Sequence, residues 1–499
     1  MPLSMLIEMA VDAWPDRVAV GAASGGLTFR ELYDAARNGA ETLVGTGARS
    51  VAYLDVNGPQ FAVALWSAAL AGLPFCPLNY RMSGEQLEPL VAALDSPVLI
   101  TGSAYDSGVT SDAVAKFDSE AFAAEARRPA GHTPAPVEDD RTAIVLFTSG
   151  TTSAPKAVLL RHQNLVSYVL ETVDFGAAED GDSILVSMPP YHVAGVNSAL
   201  TNLYSGRRMV HLPNFDQRRW LDVVKAESIT HAMLVPTMLA RIVDQLDGAT
   251  ADVPSLRNLA YGGARMPGPV LERALEAFPG VGFVNAYGLT ETSSTIAVLG
   301  PDEHRTAITS ADPSVRERLG SVGRLVPGIQ AQVRDESGQA VAEGAGGELW
   351  LRGPQISGEY MGKGSVLDAG GWFPTRDRAR IDAEGFLFIE GRLDDTIIRG
   401  GENIAPAEIE EVLARLDGVA DVAVVGRPDD EWGERIVAAI VPRSGASLSA
   451  IEVREFVRAH LRSSRTPDDV VMLPELPYGP TGKLVRRDLL AQLEGAEPG

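Results

Sequence analysis

Short apolar runs alternate with amphipathic stretches through more than half of this chain. Strand-like runs at 18–20, 50–54 and 98–101 are interleaved with stretches of helical periodicity at 29–44 and 62–71. The alternation continues after Asp182, and the strand-like runs of this second set are at 183–187, 208–211, 231–235, 258–261 and 282–285. This alternation predicts an α/β fold in which parallel-rich sheets are covered by helices.

The pattern changes near Gly320, where turn-forming residues separate runs that predict antiparallel strands at 329–334, 347–352 and 385–391. After Arg392 the chain restarts as a compact unit. Its predicted elements are a helix at 405–416, strands at 419–426 and 436–442, a helix at 448–461 and a strand at 470–473. We therefore predict a large N-terminal domain, 1–392, with a small antiparallel barrel-like part, and a small α+β C-terminal domain, 393–499.

Composition argues against several classes of partner. The 499 residues include 43 Lys and Arg against 66 Asp and Glu, and the net charge of −23 disfavours nucleic acid and anionic membranes. Cys76 is the only cysteine, which excludes an intramolecular disulfide and favours an intracellular protein. The most apolar segment, 61–76, is interrupted and too short to span a bilayer, and no signal-peptide pattern is seen. We expect a cytoplasmic monomer or homodimer without integral membrane segments.

A run of small polar residues follows the predicted strand at 143–147. It reads Thr148-Ser149-Gly150-Thr151-Thr152, and Lys156 comes shortly after it. Hydroxyls and backbone N–H groups at the end of a strand can converge on phosphate oxygens, and a lysine adds positive charge. The order is not the common G-x-x-x-x-G-K-[ST] loop. A solvated Ser/Thr turn is the alternative, but the strict T-S-G-T-T-x-x-P-K order favours a phosphate site.

A second motif, residues 285–292, comes after another predicted strand, at the end where open α/β sheets bind ligands. Tyr287 offers a flat face for a base and Thr290 offers a hydroxyl. Glu291 is a hard carboxylate that suits Mg²⁺ beside phosphate. Taken alone, Y-G-x-T-E is equally compatible with an exposed turn.

Three further motifs follow. Asp377 ends the motif G-W-F-P-T-R-D, and Arg392 follows later in the chain. An aspartate with an arginine nearby suits a ribose site, and a surface salt bridge is the alternative. A glycine-rich segment at 399–403 leads into the helix that begins near Pro406. Lys483 occupies P-T-G-K, where a lysine on a tight turn is ordinarily solvated surface.

Together these motifs resemble the adenylate-forming superfamily of acyl-CoA synthetases, peptide-synthetase adenylation domains and luciferases. T-S-G-T-T-x-x-P-K, Y-G-L-T-E, G-x-x-x-x-R-D, G-R-x-D-D-x-I-x-x-G-G-E-N-I and P-T-G-K occur in the family's order, and the resemblance covers most of the chain. The segment 393–410 is most similar to the acyl-CoA synthetase branch. The resemblance implies that the C-terminal domain is a mobile lid.

The implied reaction uses ATP and Mg²⁺ to convert a carboxylic acid into an acyl adenylate with release of pyrophosphate. The acyl group then passes to the thiol of coenzyme A, and AMP is released. Carboxylate and α-phosphate are both anionic, so the first step needs preorganised positive charge. Lys483 resembles the family's lysine for that task.

The resemblance also implies a role for each motif residue. The residues implied to bind the β- and γ-phosphates are Thr148, Ser149, Gly150, Thr151, Thr152 and Lys156. Thr290 is implied to bind the α-phosphate, and Glu291 to bind Mg²⁺. Adenine is implied to contact Gly262, Gly263, Ala264, Asn285 and Tyr287, and ribose to contact Asp377 and Arg392. Elsewhere the implied roles are the acyl pocket for His192, the hinge for Asp394, and the acceptor channel for Gly400, Gly401 and Arg465. As a lone histidine, His192 is also compatible with simple packing.

Two departures from the family pattern affect these expectations. Ser153 and Ala157 stand where two glycines are usual, which predicts a somewhat stiffer phosphate loop. Ser464 and Asp468 stand where many relatives have an aromatic and a basic residue that hold CoA. If Asp468 and its neighbour Asp469 faced the phosphates of CoA, they would repel them.

Three kinds of function therefore stay open. They are a CoA ligase, an amide-forming synthetase with an amine acceptor, and a nucleotide-binding protein without catalysis. Loading of a carrier protein is the remaining possibility. The acid pocket is expected to be partly polar and partly apolar, which favours an aromatic or medium-length acid. Its expected residues are Tyr191, His192, Asn197, Val235, Thr295 and Ile296.

Overall fold

The structure is a computed structural model of the chain and describes residues 1–105, 109, 113–128, 138–148, 155–429, 431–479 and 483–494. The helices are α1 Ser4–Ala13, α2 Phe29–Gly45, α3 Pro59–Ala71, α4 Gly84–Ala92, α5 Ser119–Ala126, α6 His162–Thr172, α7 Val193–Ser205, α8 Gln217–Ala226, α9 Pro236–Leu246, α10 Gly268–Ala277, α11 Pro301–Thr309, α12 Pro313–Glu317, α13 Pro406–Leu413, α14 Ala450–His460 and α15 Arg486–Glu494.

The strands are β1 Val18–Val20, β2 Leu27–Thr28, β3 Ser50–Leu54, β4 Phe75–Pro77, β5 Pro97–Thr101, β6 Ala115–Asp118, β7 Thr142–Thr148, β8 Lys156–Arg161, β9 Ser183–Val186, β10 Arg208–His211, β11 His231–Leu234, β12 Asn258–Gly262, β13 Gly282–Leu289, β14 Ser294–Leu299, β15 Arg324–Leu325, β16 Gln330–Arg334, β17 Gly347–Arg352, β18 Glu359–Tyr360, β19 Gly364–Ser365, β20 Phe373–Ile381, β21 Leu387–Arg392, β22 Ile397–Arg399, β23 Glu402–Ile404, β24 Val419–Asp429, β25 Gly433–Pro442 and β26 Asp469–Met472.

Two large sheets form most of the N-terminal part. Among the described residues, one has nine strands in the order β15-β14-β13-β12-β11-β9-β10-β1-β2, and the other has eight in the order β19-β18-β8-β7-β4-β3-β5-β6. The central strands of both sheets pair in parallel, as predicted. The strand predicted at 282–285 is longer than expected, because residues 285–289 pair antiparallel with β14.

Helices α2 and α3 pack between the two sheets. Leu32 of α2 and Trp66 of α3 belong to one hydrophobic core that also contains Val20 of the nine-stranded sheet and Val51 of the eight-stranded sheet. Helix α2 begins with a capping box, in which Thr28 and Glu31 satisfy each other's backbone N–H groups. The two sheets therefore share a core, and loops at their strand ends can form one cleft.

Two smaller sheets complete the molecule. The predicted antiparallel unit is a sheet in the order β16-β17-β20-β21. The C-terminal sheet, β23-β22-β25-β24 with β26 beside β25, is covered on one face by α13 and α14 and on the other by α15. The predicted C-terminal helices and strands are present, with ends that differ by a few residues. In the described part of the chain, no helix has the length and apolar character needed to cross a bilayer.

Candidate active site

Four of the five predicted motifs meet in one cleft. The charge of Lys483, from the C-terminal domain, interacts with Glu291, Asp377 and Arg392 of the N-terminal part. The 3₁₀ turn Thr290–Thr292, which contains Glu291, also contacts strand β8. Residues far apart in the sequence are thus brought together where the loops of both large sheets converge.

Asp377 is the central acceptor of the ribose motif. The antiparallel pairing of β20 with β21 sets Asp377 opposite Arg392, whose Nη1 lies 3.0 Å from Oδ1 of Asp377. The hydroxyl of Tyr287 donates to the other carboxylate oxygen. Burial raises the pKa of Asp377, while Arg392 and the Tyr287 hydroxyl oppose that rise. Tyr287, expected to stack on adenine, thus also orients the carboxylate expected to bind ribose.

Glu291 has a partner that the sequence analysis missed. The hydroxyl of Tyr360 donates a 2.7 Å hydrogen bond to Oε1 of Glu291. Tyr360 lies on β18, which pairs with β8 at Val158, so the strand that follows the phosphate motif also positions the carboxylate. Burial and the nearby Glu291 charge raise the pKa of Tyr360, which keeps its hydroxyl protonated as a donor.

The end of β12 carries the glycines expected at adenine. A Cβ atom on Gly262 would lie 2.2 Å from the carbonyl oxygen of Ala286, so only glycine fits between β12 and β13 there. Gly263 has φ of +81°, which favours glycine, and Ala264 follows it. The amide of Asn285, on the neighbouring strand, donates to the carbonyl oxygen of Ser321 at 3.2 Å.

Charged groups of both signs act on Lys483. Its side chain is exposed to solvent. Partial desolvation by the surrounding protein lowers its pKa, the Arg392 charge lowers it further, and the charges of Asp377 and Glu291 act in the opposite direction. The preceding residues of its motif, Pro480, Thr481 and Gly482, lie outside the described residues.

His192 immediately precedes helix α7. It lies near Lys483, whose positive charge disfavours protonation of the imidazole. Its Nε2 atom is buried and has no hydrogen-bond partner in the described part of the chain. Burial lowers the pKa of His192 to about 3, and the charges of Lys483 and Arg81 add to that effect. The imidazole is therefore neutral over the physiological range, with an unused polar atom beside the cleft.

Among the other residues expected at the acid pocket, Tyr191 packs against His192. The ring of Tyr191 is 4.7 Å from the His192 ring, measured between centroids. The amide of Asn197 donates to the carbonyl oxygen of Ser293 at 2.9 Å and thereby ties α7 to the turn after Glu291. Val235 and Ile296 are buried, and the carbonyl oxygen of Thr295 accepts from Gln355 at 2.9 Å.

The phosphate motif lies in the hairpin between β7 and β8. Thr148 pairs with Lys156 across the hairpin, and its hydroxyl donates to the Lys156 carbonyl oxygen at 3.3 Å. Ser149, Gly150, Thr151, Thr152 and Ser153 lie outside the described residues. The expectation that Ala157 stiffens the loop is wrong. Ala157 belongs to β8, pairs with Phe147 and is buried, so the extended backbone there has no need of glycine.

The domain junction and the glycine-rich segment follow Arg392 in the chain. Asp394, the expected hinge residue, accepts a 2.8 Å hydrogen bond from Arg376. Gly400 and Gly401 both have positive φ, +59° and +80°. The N–H of Gly400 donates to the carbonyl oxygen of Trp432, a half-exposed side chain that the sequence analysis did not single out.

Arginines neutralise the acidic residues expected near the acceptor. Asp468 accepts two hydrogen bonds from Arg399, at 2.7 and 3.1 Å, and Asp469 pairs with Arg435 at 3.3 Å. Both aspartates are therefore paired within the C-terminal sheet. Arg465, predicted to hold CoA, forms ion pairs with acidic residues of its own domain, Glu402 and Glu408.

Comparison with known proteins identifies related chains. The AMP-binding enzyme family matches residues 7–361, and the AMP-binding enzyme C-terminal domain matches residues 408–483. Indoleacetate–CoA ligase of Aromatoleum aromaticum is 32% identical over 514 aligned residues that cover 99% of this chain and 98% of the relative.

Two solved structures are similar over almost the full length. O-succinylbenzoate coenzyme A synthetase (MenE) of Bacillus subtilis, in complex with ATP and magnesium, superimposes with a TM-score of 0.85 and 26% identity, covering 98% of this chain and 99% of that one. The amide bond synthetase McbA of Marinactinospora thermotolerans gives a TM-score of 0.84 and 27% identity, covering 98% and 100%.

Proposed function

This chain belongs to the AMP-binding enzyme family, in the acyl-CoA synthetase branch of the adenylate-forming superfamily, and we propose that its cleft activates an aromatic or medium-length carboxylic acid for transfer to coenzyme A. The observation that carries the proposal is the position of Lys483. A lysine of the C-terminal domain interacts with Glu291, Asp377 and Arg392 across the cleft. Such an arrangement concentrates positive charge beside groups suited to hold a nucleotide.

In the first step a carboxylate oxygen of the acid attacks the α-phosphorus of ATP. The bond from that phosphorus to the bridging oxygen of pyrophosphate breaks, and pyrophosphate leaves. Lys483 offsets the negative charge that both reactants bring together, and this electrostatic stabilisation acts on the transition state. Asp377 and Arg392 hold the ribose, Thr290 contacts the α-phosphate, and Gly262, Gly263, Ala264, Asn285 and Tyr287 surround the adenine.

The outer phosphates are held by the hairpin between β7 and β8. Thr148 and Lys156 belong to its described part, and Ser149, Gly150, Thr151 and Thr152 complete the motif. Lysine and hydroxyl groups retain the β- and γ-phosphates while the bond to the α-phosphorus breaks. Their role is to bind and orient, since the leaving group is already an anion that needs no proton from the protein.

Glu291 suits a Mg²⁺ ion that also binds phosphate. Among the described residues no group of three or more acidic, His or Cys side chains could form a protein-only metal site. Mg²⁺ is commonly held by one or two carboxylates together with phosphate oxygens and water, and one carboxylate fixed by Tyr360 meets that need. When bound, the ion supplies further positive charge to the phosphates.

The second step requires the thiol of CoA to reach the acyl carbon. We propose that the C-terminal domain, 393–499, turns about Asp394, so that Lys483 leaves the cleft and the Gly400–Gly401 segment approaches it. The sulfur then bonds to the acyl carbon, the bond to the AMP oxygen breaks, and the thiol proton is lost to solvent. In that orientation Arg465 is the candidate residue for the phosphates of CoA.

An amine acceptor is less well supported by this chain. McbA is an amide bond synthetase with a similar fold, and the two features of this sequence that slightly favour an amine are its strongly acidic surface and its acidic segment at Asp468 and Asp469. Arg399 and Arg435 pair with those aspartates, so the segment does not repel an anionic acceptor as an unpaired one would. We therefore propose CoA as the acceptor.

The acid is proposed from the pocket and the relatives together. His192 is neutral and its ring packs against that of Tyr191, so the expected pocket offers aromatic surface. The Tyr191 hydroxyl and His192 Nε2 are buried there without a hydrogen-bond partner among the described residues. The acids named for two of the similar proteins, indoleacetate and O-succinylbenzoate, contain an aromatic ring, whereas another relative is named for fatty acids. The aromatic surface and the first two names favour an aromatic acid over a long alkyl chain.

The experiment supplies ATP, Mg²⁺ and single acids from an aromatic, a medium-chain and a long-chain set, and it measures pyrophosphate and AMP. CoA or a small amine is then added, and the product is identified by mass. We expect pyrophosphate with aromatic acids and a thioester with CoA. No pyrophosphate with any acid would contradict the adenylation proposal, and an amide without a thioester would contradict the choice of acceptor.

A further inference from the structure

Arg376 has an unusual backbone conformation for an arginine. Its φ is +64°, in the left-handed region, and the other described non-glycine residues with positive φ are five short polar residues, Ser96, Ser228, Asp247, Ser293 and Ser294. Short polar side chains tolerate this region because they can hydrogen-bond locally, but a long side chain gains no such compensation. Something outside the residue must therefore hold Arg376 in place.

A bulge in strand β20 produces this conformation. Glu348 of β17 pairs with Arg378 of β20, and Trp350 of β17 pairs with Pro374 of β20. The two pairs are therefore two residues apart on β17 but four residues apart on β20. The strand thus carries two extra residues between these pairs, and Arg376 is at their centre. Bulges of this kind redirect a side chain and occur at functional positions.

The redirected guanidinium lies between two carboxylates. One of its nitrogens donates to Oδ1 of Asp394 at 2.8 Å, and the other is 3.8 Å from Oε1 of Glu348. That Glu348 oxygen is buried and has no hydrogen-bond partner among the described residues, so Arg376 is its nearby counter-charge. Arg376 therefore joins β17 to the junction between the domains.

The same short segment also serves the nucleotide. Asp377, the next residue, accepts from Tyr287 and pairs with Arg392, and Asp394 is only two positions after Arg392. The bulge thus places the ribose carboxylate and the contact to the junction on adjacent residues that point to different partners. The structure shows these contacts together with Lys483 in the cleft, where its charge interacts with that of Asp377.

We propose that Arg376 is a positioning residue that holds the domain junction in the orientation that keeps Lys483 in the cleft. It links occupancy of the ribose site to that orientation, because a nucleotide that fixes Asp377 also fixes the backbone of Arg376. The proposal rests on the proposed function in one respect, since Asp394 is taken there as the hinge. The side chains of Arg376 and Asp394 are 52% and 34% exposed, so their attraction is modest and sensitive to salt.

The test measures the distance between the domains directly. Cys76 is buried, so cysteines introduced by Glu41→Cys and Arg458→Cys, at exposed positions, accept spin labels selectively. The distance distribution is recorded for the parent, for Arg376→Gln and for Arg376→Lys. Arg378→Gln is the matched control, because Arg378 is on the same strand but pairs with Glu390 at 3.0 Å within the antiparallel unit.

We expect a second distance population in Arg376→Gln, enlarged about two- to fivefold over the parent, and parent-like distributions in Arg376→Lys and Arg378→Gln. Raised salt should enlarge this population in the parent and leave Arg376→Gln unchanged. Arg376→Gly, which relieves the positive φ but also removes the guanidinium, should show the second population as well. A parent-like distribution in Arg376→Gln or Arg376→Gly would overturn the proposal.

Activity provides a separate readout. Arg376→Gln should form pyrophosphate about two- to fivefold more slowly, while transfer from a presynthesised acyl adenylate is not slowed. Equal slowing of both steps would contradict a positioning role. If the parent makes no pyrophosphate with any acid, the proposed function fails, whereas the distance measurement still decides the role of Arg376.

Discussion

The hydroxyl of Tyr360 donates a 2.7 Å hydrogen bond to Oε1 of Glu291, and the two residues are 69 positions apart in the chain. The contact joins β18 to the turn after β13, so it fixes one carboxylate oxygen relative to the hairpin that carries Thr148 and Lys156. The geometry of the proposed metal site thus depends on a tyrosine from a short strand of the other large sheet.

Tyr360→Phe should weaken the response to Mg²⁺. A hydrogen bond to a charged group contributes about 1.5–3 kcal/mol, so we expect the Mg²⁺ concentration for half-maximal adenylation to rise about tenfold or more. Tyr33→Phe is the control, because Tyr33 is also a partly buried tyrosine but lies on helix α2. An unchanged Mg²⁺ response in Tyr360→Phe would show that Glu291 needs no such support.

Gly263 and Gly248 provide a matched pair for the adenine site. Both have φ of +81°, and a Cβ atom added to either would meet no clash. Substitution by alanine should therefore lower the free energy of unfolding by a similar amount in both variants, about 1–2 kcal/mol. Only Gly263 is at the end of β12 where adenine is expected. Gly263→Ala should therefore raise the KM for ATP severalfold while Gly248→Ala does not; similar KM values in both variants would place adenine elsewhere.

Asp468→Asn tests the acidic segment near the acceptor. Because Arg399 already neutralises Asp468, removing the charge should not tighten CoA binding. It should instead destabilise the protein by about 1–3 kcal/mol, since the partly buried Arg399 loses its partner. Asp488→Asn, at an exposed pair with Arg487, is the control. A severalfold fall in the KM for CoA would indicate that Asp468 faces the acceptor after all.

Adenylation should depend on the cationic form of Lys483 at alkaline pH. The pKa of Lys483 is lowered from its ordinary value of 10.5, so the charged fraction declines at a lower pH than for a free lysine. The rate should therefore fall as pH rises through that lowered pKa, and Lys483→Arg should be slower but lack this alkaline decline. An ordinary histidine titrates within roughly pH 5 to 9. Because the pKa of His192 is about 3, His192 should contribute no ionisation in that span, either in the parent or in Lys483→Arg. An alkaline decline that persists in Lys483→Arg would assign it to another group.

The sequence was sufficient for the fold class. Each motif is local, and Glu291 follows a strand of the β/α alternation, whose end is where open sheets bind ligands. Asp377 lies on an antiparallel strand instead, so its place beside Glu291 was implied only by the family resemblance, and the roles of both residues stay predictions. The length of β13 was underestimated because its last residues are held by pairing with β14 rather than by their own pattern. Ala157 was assigned to a loop because the strand β8 begins sooner after the motif than the pattern indicates.

Partners that are distant in sequence could not be predicted. Tyr360, Trp432 and Arg435 belong to no recognisable motif. Arg399 begins the glycine-rich motif, but nothing in that motif indicates its pairing with Asp468. The contact between Arg376 and Asp394 depends on a bulge, which arises from strand register and not from residue type alone. These contacts require the folded arrangement of three sheets.

The most direct test of the central claim is to compare both half-reactions in Lys483→Ala. The measurement follows pyrophosphate formed from ATP and an accepted acid, and thioester formed from the presynthesised adenylate and CoA. Removal of the ammonium should reduce the first rate by at least about a hundredfold, as expected for loss of a key electrostatic group, while the second stays within about threefold of the parent. Equal loss of both rates, or full retention of the first, would contradict the assignment of adenylation to Lys483.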